Sequence, residues 1–103
     1  VSKPREVYIP NAFSPNGDGF NDFFYITTGQ DVRLVRSFLI FDRWGEKVFE
    51  SYDFQASGGP DANAWSGFFK NEVLNPGVYV YYAEIEFIDG EILIYEGDVT
   101  LVR

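Results

Sequence analysis

Residues 78–88 alternate between two kinds of side chain, and the alternation resumes after Asp89-Gly90 and runs on to Leu101. Two such runs across one turn must pair as a hairpin, and the register is set by which side chains can be buried together. Tyr79, Tyr81, Ala83, Ile85 and Phe87 share one face of the outgoing run, and the opposite face ends in Glu84 and Glu86. On the return, Leu93, Tyr95, Gly97, Val99 and Leu101 are in phase, with Glu96, Asp98 and Thr100 on the other side. A two-residue Asp89-Gly90 loop pairs Phe87 with Ile92 and turns Val99 and Leu101 away from Tyr79 and Tyr81. A three-residue loop, Ile88-Asp89-Gly90 with Gly90 left-handed, brings both apolar sets to one face. The sequence therefore predicts a type I turn with a glycine bulge.

Nowhere does an apolar 3.6-residue period persist for three turns, and turn signals recur about every ten residues, as they do in all-β sandwiches. Strands are expected at residues 6–13, 23–27 and 32–36, the last leading into the fully apolar run Phe38-Leu39-Ile40-Phe41. After a hairpin turn at 42–47 with Trp44 at its shoulder, Val48-Phe49 resumes the pattern. Residues 52–64 are expected to be the longest irregular stretch, followed by a short strand at 65–69 that places Trp65 in the core, and by a turn at Asn75-Pro76-Gly77. The chain has 103 residues and no cysteine, enough for one core and not two. Eleven Phe, seven Tyr and two Trp supply the aromatic bulk that fills the space between sheets. The predicted fold is an all-β, immunoglobulin-like antiparallel β-sandwich of roughly seven strands, with strand order undetermined.

Sixteen acidic against eight basic residues give a net charge of −8. With no basic stripe, such a surface repels phosphate backbones, so nucleic acid is not an expected partner. No apolar run approaches the roughly 20 residues that a spanning helix requires, so no membrane insertion of its own is expected. Val1 opens the chain without an initiator Met or a signal-like stretch, as expected of a fragment of a larger protein. The lack of cysteine is compatible with either redox compartment. Histidine is also absent, which removes the usual general base and, with cysteine, the commonest zinc ligands. Only carboxylate chemistry remains, at Asp18, Asp22, Asp42 or Asp61, and no spacing establishes a glycosidase pair. The chain is not expected to be an enzyme.

Three stretches carry recognition chemistry. In the loop at 10–22, Asn16, Asp18, Asn21 and Asp22 can cap the loop's own N–H groups or, with a carbonyl and water, converge on Ca²⁺. The spacing is not that of an EF-hand: Asn21 stands at the sixth position, where glycine is needed, and Thr27 in the place of the bidentate Glu. At Arg43-Trp44-Gly45, Trp44 either covers the end of the core, with Arg43 over a ring or paired with Asp42, or is an exposed anchor for a partner. The strand at 99–102 either packs within the sheet or offers an edge, with Asp98 and Thr100 on its outward side.

The motif Pro10-Asn11-Ala12-Phe13-Ser14-Pro15-Asn16-Gly17-Asp18-Gly19 with Asn21-Asp22 is followed by Ile40-Phe41-Asp42-Arg43-Trp44-Gly45 with Val48-Phe49-Glu50-Ser51. Then come Trp65-Ser66-Gly67, Pro76-Gly77-Val78-Tyr79-Val80-Tyr81 and Gly97-Asp98-Val99-Thr100-Leu101-Val102-Arg103. Together they resemble the type B C-terminal domain of the type IX secretion system, also called the gliding-motility-associated C-terminal domain. Departures are mild, with Ser66 where the family more often has Asp and Asp42 where it more often has Asn. The resemblance implies that residues 1–103 form a single C-terminal sorting domain of a larger secreted or cell-surface protein of Bacteroidetes-type bacteria. It implies a non-catalytic label that sends cargo, already in the periplasm, across the outer membrane to the cell surface or the extracellular space, gliding adhesins among that cargo. The implied partners are outer-membrane components of the system, notably of the PorP/SprF-like class. The loop bearing Asn16 and Asp18, the Arg43-Trp44 corner, and Asp98 and Thr100 are the expected read surface, and no cofactor beyond the optional calcium is expected. An adhesive or carbohydrate-binding module, using Tyr and Trp as stacking platforms, is the alternative from the residues alone.

Overall fold

The computed structural model describes residues 6–17, 22–56, 59 and 63–102. Nine strands occur among them and no helix: β1 (Val7–Tyr8), β2 (Ala12–Phe13), β3 (Thr27–Thr28), β4 (Val32–Phe41), β5 (Lys47–Phe54), β6 (Phe68–Phe69), β7 (Glu72–Val73), β8 (Gly77–Phe87) and β9 (Ile92–Leu101). β2, β9, β8, β4 and β5 form one sheet in that order. The facing layer is built of smaller pieces, the antiparallel pairs β1–β3 and β6–β7 and a bridge between Phe24 and Trp65. The fold is the all-β sandwich that the turn spacing predicts.

The β8–β9 hairpin has the predicted register. Tyr79 pairs with Val99, Tyr81 with Gly97 and Ile85 with Leu93. Gly90 N–H donates to the Phe87 carbonyl at 2.9 Å and Phe87 N–H to the Glu91 carbonyl at 2.8 Å, which closes a three-residue loop. Gly90 sits at φ +90°, where a side chain is strained. Burial of one face therefore decided loop length. Gly97 is needed for a different reason: the Tyr81 ring lies across it, and a Cβ there would come within 2.9 Å of the Tyr81 hydroxyl.

β4 joins the two apolar runs seen in the sequence into one ten-residue strand. Val32, Val35, Phe38 and Ile40 all reach the core although their spacing does not follow a period of two. Register shifts between Val32 and Leu34 and between Val35 and Ser37 absorb the mismatch, as bulges do.

The strand expected at 6–13 is two strands in different sheets. Pro10 has no N–H for a ladder, and the chain changes layer there: β1 pairs with β3, whereas β2 pairs with β9. That second pairing is parallel, Ala12 with Thr100 and Phe13 with Leu101, within an otherwise antiparallel sheet. The expected 23–27 strand reduces to the Phe24 bridge and β3. The irregular stretch begins later than expected, since β5 runs on to Phe54. The β6–β7 hairpin was not foreseen, because its two-residue loop is Lys70-Asn71 and lacks glycine. Both residues nevertheless adopt left-handed angles, φ +52° and +66°, as a type I′ turn requires.

Between the layers, aromatic rings interlock as the composition implied. Trp65 lies 5.2 Å from both Phe13 and Tyr79, and Phe24 lies 5.6 Å from Phe38. Trp65 is buried as expected, and its indole N–H donates to the Phe68 carbonyl at 3.1 Å, so it brings no unsatisfied donor into the core.

Candidate recognition surface

The sheet register gathers most of the sequence's candidate residues at one end of the sandwich. β9 finishes where β8 begins, with Leu101 opposite Gly77, and the parallel β2 finishes beside it at Phe13. β4 finishes opposite Val80, three residues from that same end. Hence the loop carrying Asn16, the Arg43-Trp44-Gly45 corner and the Asn75-Pro76-Gly77 turn all emerge together. Thr100 is paired with Val78 at this end, and Asp98 with Val80 one step further in.

Asp42 builds the corner. Its Oδ1 accepts the N–H groups of Trp44 and Glu46, each at 2.9 Å, while its carbonyl accepts Gly45 N–H at 3.0 Å and its own N–H donates to Glu46. Gly45 supplies φ +85°. Arg43-Trp44-Gly45 is thus a three-residue loop of the same kind as Ile88-Asp89-Gly90. Trp44 occupies its tip rather than its shoulder and is 83% exposed. Of the two readings open from sequence, the cover over the core end is therefore not what Trp44 provides. The Arg43 guanidinium lies 5.5 Å from the ring centroid, and the corner shares a cleft with Leu74, Pro76 and Val78. Tyr79 hydroxyl donates to the Asn75 carbonyl at 2.7 Å, which fixes the cleft's other wall.

In the described part of the 10–22 loop, Asp22 Oδ1 accepts the N–H groups of Asn16 at 3.2 Å and Gly17 at 3.0 Å. That is the self-capping geometry. Asp18 and Asn21 lie outside the described residues, and among the described residues no three acidic side chains converge.

The terminal strand is not an edge where β2 covers it. Thr100 N–H donates to the Asn11 carbonyl and Val102 N–H to the Phe13 carbonyl, both at 2.9 Å. Val99 and Leu101 are buried, Asp98 is exposed and Thr100 half-buried. Burial, and next the Asp98 carboxylate, raise the Tyr81 hydroxyl above the ordinary tyrosine value. Farther along, Lys47 is raised and Glu50 lowered by their mutual hydrogen bond, made at 2.7 Å on the surface.

The CHU_C Type IX secretion signal domain, a protein family, matches residues 7–100. The chain belongs to this family. Among curated proteins none matches the sequence significantly. As a type IX secretion signal domain it is a sorting signal that engages the type IX machinery for export across the outer membrane to the cell surface.

Sequence reasoning missed the surface that surrounds this end. Val78, Val80 and Tyr82 occupy the face of β8 that was read only through Glu84 and Glu86. Their apolar character at outward positions was the signal available.

Proposed function

We propose that this type IX secretion signal domain is a folded, non-catalytic label for a gliding adhesin or another surface protein, read by a PorP/SprF-like outer-membrane protein at the end where Trp44 projects. The observation that carries this reading is Trp44 itself. A tryptophan left 83% exposed, on a corner held by four backbone-directed hydrogen bonds at Asp42, is presented rather than packed. Trp and Arg are the residues most enriched at interface hot spots, and Arg43 lies beside the ring. A preformed corner also limits the ordering cost that a flexible tail pays on binding. The lack of His and Cys supports the absence of a reaction.

The test is a fusion of residues 1–103 to a periplasmic reporter in a host carrying the secretion system and the partner. The reporter is expected outside the cell, and the Trp44→Ser fusion is expected to fold and stay in the periplasm. Retention of a folded wild-type fusion contradicts the proposal.

A further inference from the structure

The outward face of the large sheet is not the polar surface that an antiparallel sheet usually turns to water. Leu39 pairs with Tyr82 and Phe41 with Val80, forming an apolar block at its centre. Leu39, Phe41 and Tyr82 are half-buried but are not among the side chains that pack on the core. Ile94 and Ile92 extend the block along β9, 58% and 42% exposed. Apolar side chains this numerous on one face of a small domain mark an interaction site.

Carboxylates decide what can cover it. Glu96 is the register partner of Tyr82, Asp98 of Val80 and Glu84 of Ile94. Among the described residues these three form no ion pair, whereas Glu86 is engaged by Arg33 and Arg36, and Glu50 by Lys47. A second copy of this chain, of net charge −8, would press the same three acids against their equivalents, while the cations it brings on this face, Arg33, Arg36 and Lys47, are already taken by Glu86 and Glu50. We propose that this face docks a segment of the export machinery that carries aliphatic or aromatic side chains flanked by Lys or Arg. The proposal rests on the reading of the domain as an export label and names the chemistry of the partner. Val78, which lines the Trp44 cleft, makes the face continuous with the end surface.

Two pairs of changes test it in the reporter fusion: Glu84→Lys with Glu96→Lys, and Val80→Thr with Ile94→Thr, which keeps β-branching. Folding is checked by circular dichroism and melting, and Glu72→Lys, on the facing layer, is the control, charge-matched to Glu96→Lys alone. Export is expected to fall at least about tenfold for both pairs, the effect of losing roughly 1.4 kcal/mol of binding, and to be unchanged for the control. If the acid pair unfolds the domain, Glu96→Lys alone, at an exposed position, carries the comparison. Wild-type export by folded face variants overturns the docking face while leaving the label reading intact. Retention of the wild-type fusion overturns both. Sedimentation of the isolated chain is expected to give a monomer; a dimer dissociated by the Val80 and Ile94 changes would assign the face to a second copy instead.

Discussion

Trp44 and Trp65 are the same residue type with opposite assignments, and the difference lies in what their neighbours do with the backbone. Trp44 stands at the tip of a loop closed by Asp42 and Gly45, so Trp44→Ser is expected to change stability by no more than about 0.5 kcal/mol in urea unfolding, while export is lost. Asp22 is similarly local. Its Oδ1 already satisfies two N–H groups, so Asp22→Ala is expected to cost about 1 kcal/mol. Melting temperatures in calcium and in chelator are expected to be equal; a calcium-dependent rise would assign the loop to the ion. Tyr81 makes a pH prediction. Its folded value is raised by burial and by Asp98, so ionisation is easier in the unfolded chain. The stability it contributes is complete below the ordinary tyrosine value near 10 and is lost as the pH climbs from there through the raised folded value. Tyr81→Phe is expected to flatten that alkaline limb in a titration of unfolding free energy against pH.

Among the elements, hairpins show where local sequence is sufficient and where it is not. The β8–β9 loop was legible because two long faces had to be buried together, and only one loop length allowed it. The β6–β7 hairpin was not legible, because each of its strands has two residues and Lys70-Asn71 is not a glycine-containing signal. Its left-handed angles are held by the surrounding structure, including the Gly67 carbonyl that accepts Leu74 N–H at 3.0 Å. Replacing Lys70-Asn71 with Asn-Gly is therefore expected to raise stability by about 0.5–1 kcal/mol, measured as a shift of the urea midpoint at constant slope. β4 illustrates a third case. Its residues announce a strand, but two bulges are needed to put Val32, Val35, Phe38 and Ile40 on one side, and nothing in the residue order marks where they fall.

For the whole molecule, the core is a single aromatic-rich cluster in which Trp65 touches both β2, through Phe13, and β8, through Tyr79. Trp65→Ala is expected to cost about 3–5 kcal/mol, a large share of the 5–15 kcal/mol that small domains possess, and to show as lost expression or a collapse of the unfolding midpoint. Its contrast with Trp44→Ser separates an export defect caused by unfolding from one caused by a missing contact. The sequence by itself determined the all-β class, the register of the last hairpin, the burial of Trp65 and the family, because each follows from side-chain periodicity, turn chemistry or short motifs in a fixed order along the chain. Tertiary structure alone decided that Trp44 is exposed and that β2 runs parallel beside β9. It also decided that Asn16, Trp44 and Thr100 share one end and that an apolar face bordered by acids is left uncovered. Those outcomes depend on which strands lie side by side and on what remains to cover them, and that is set by packing between segments far apart in the chain.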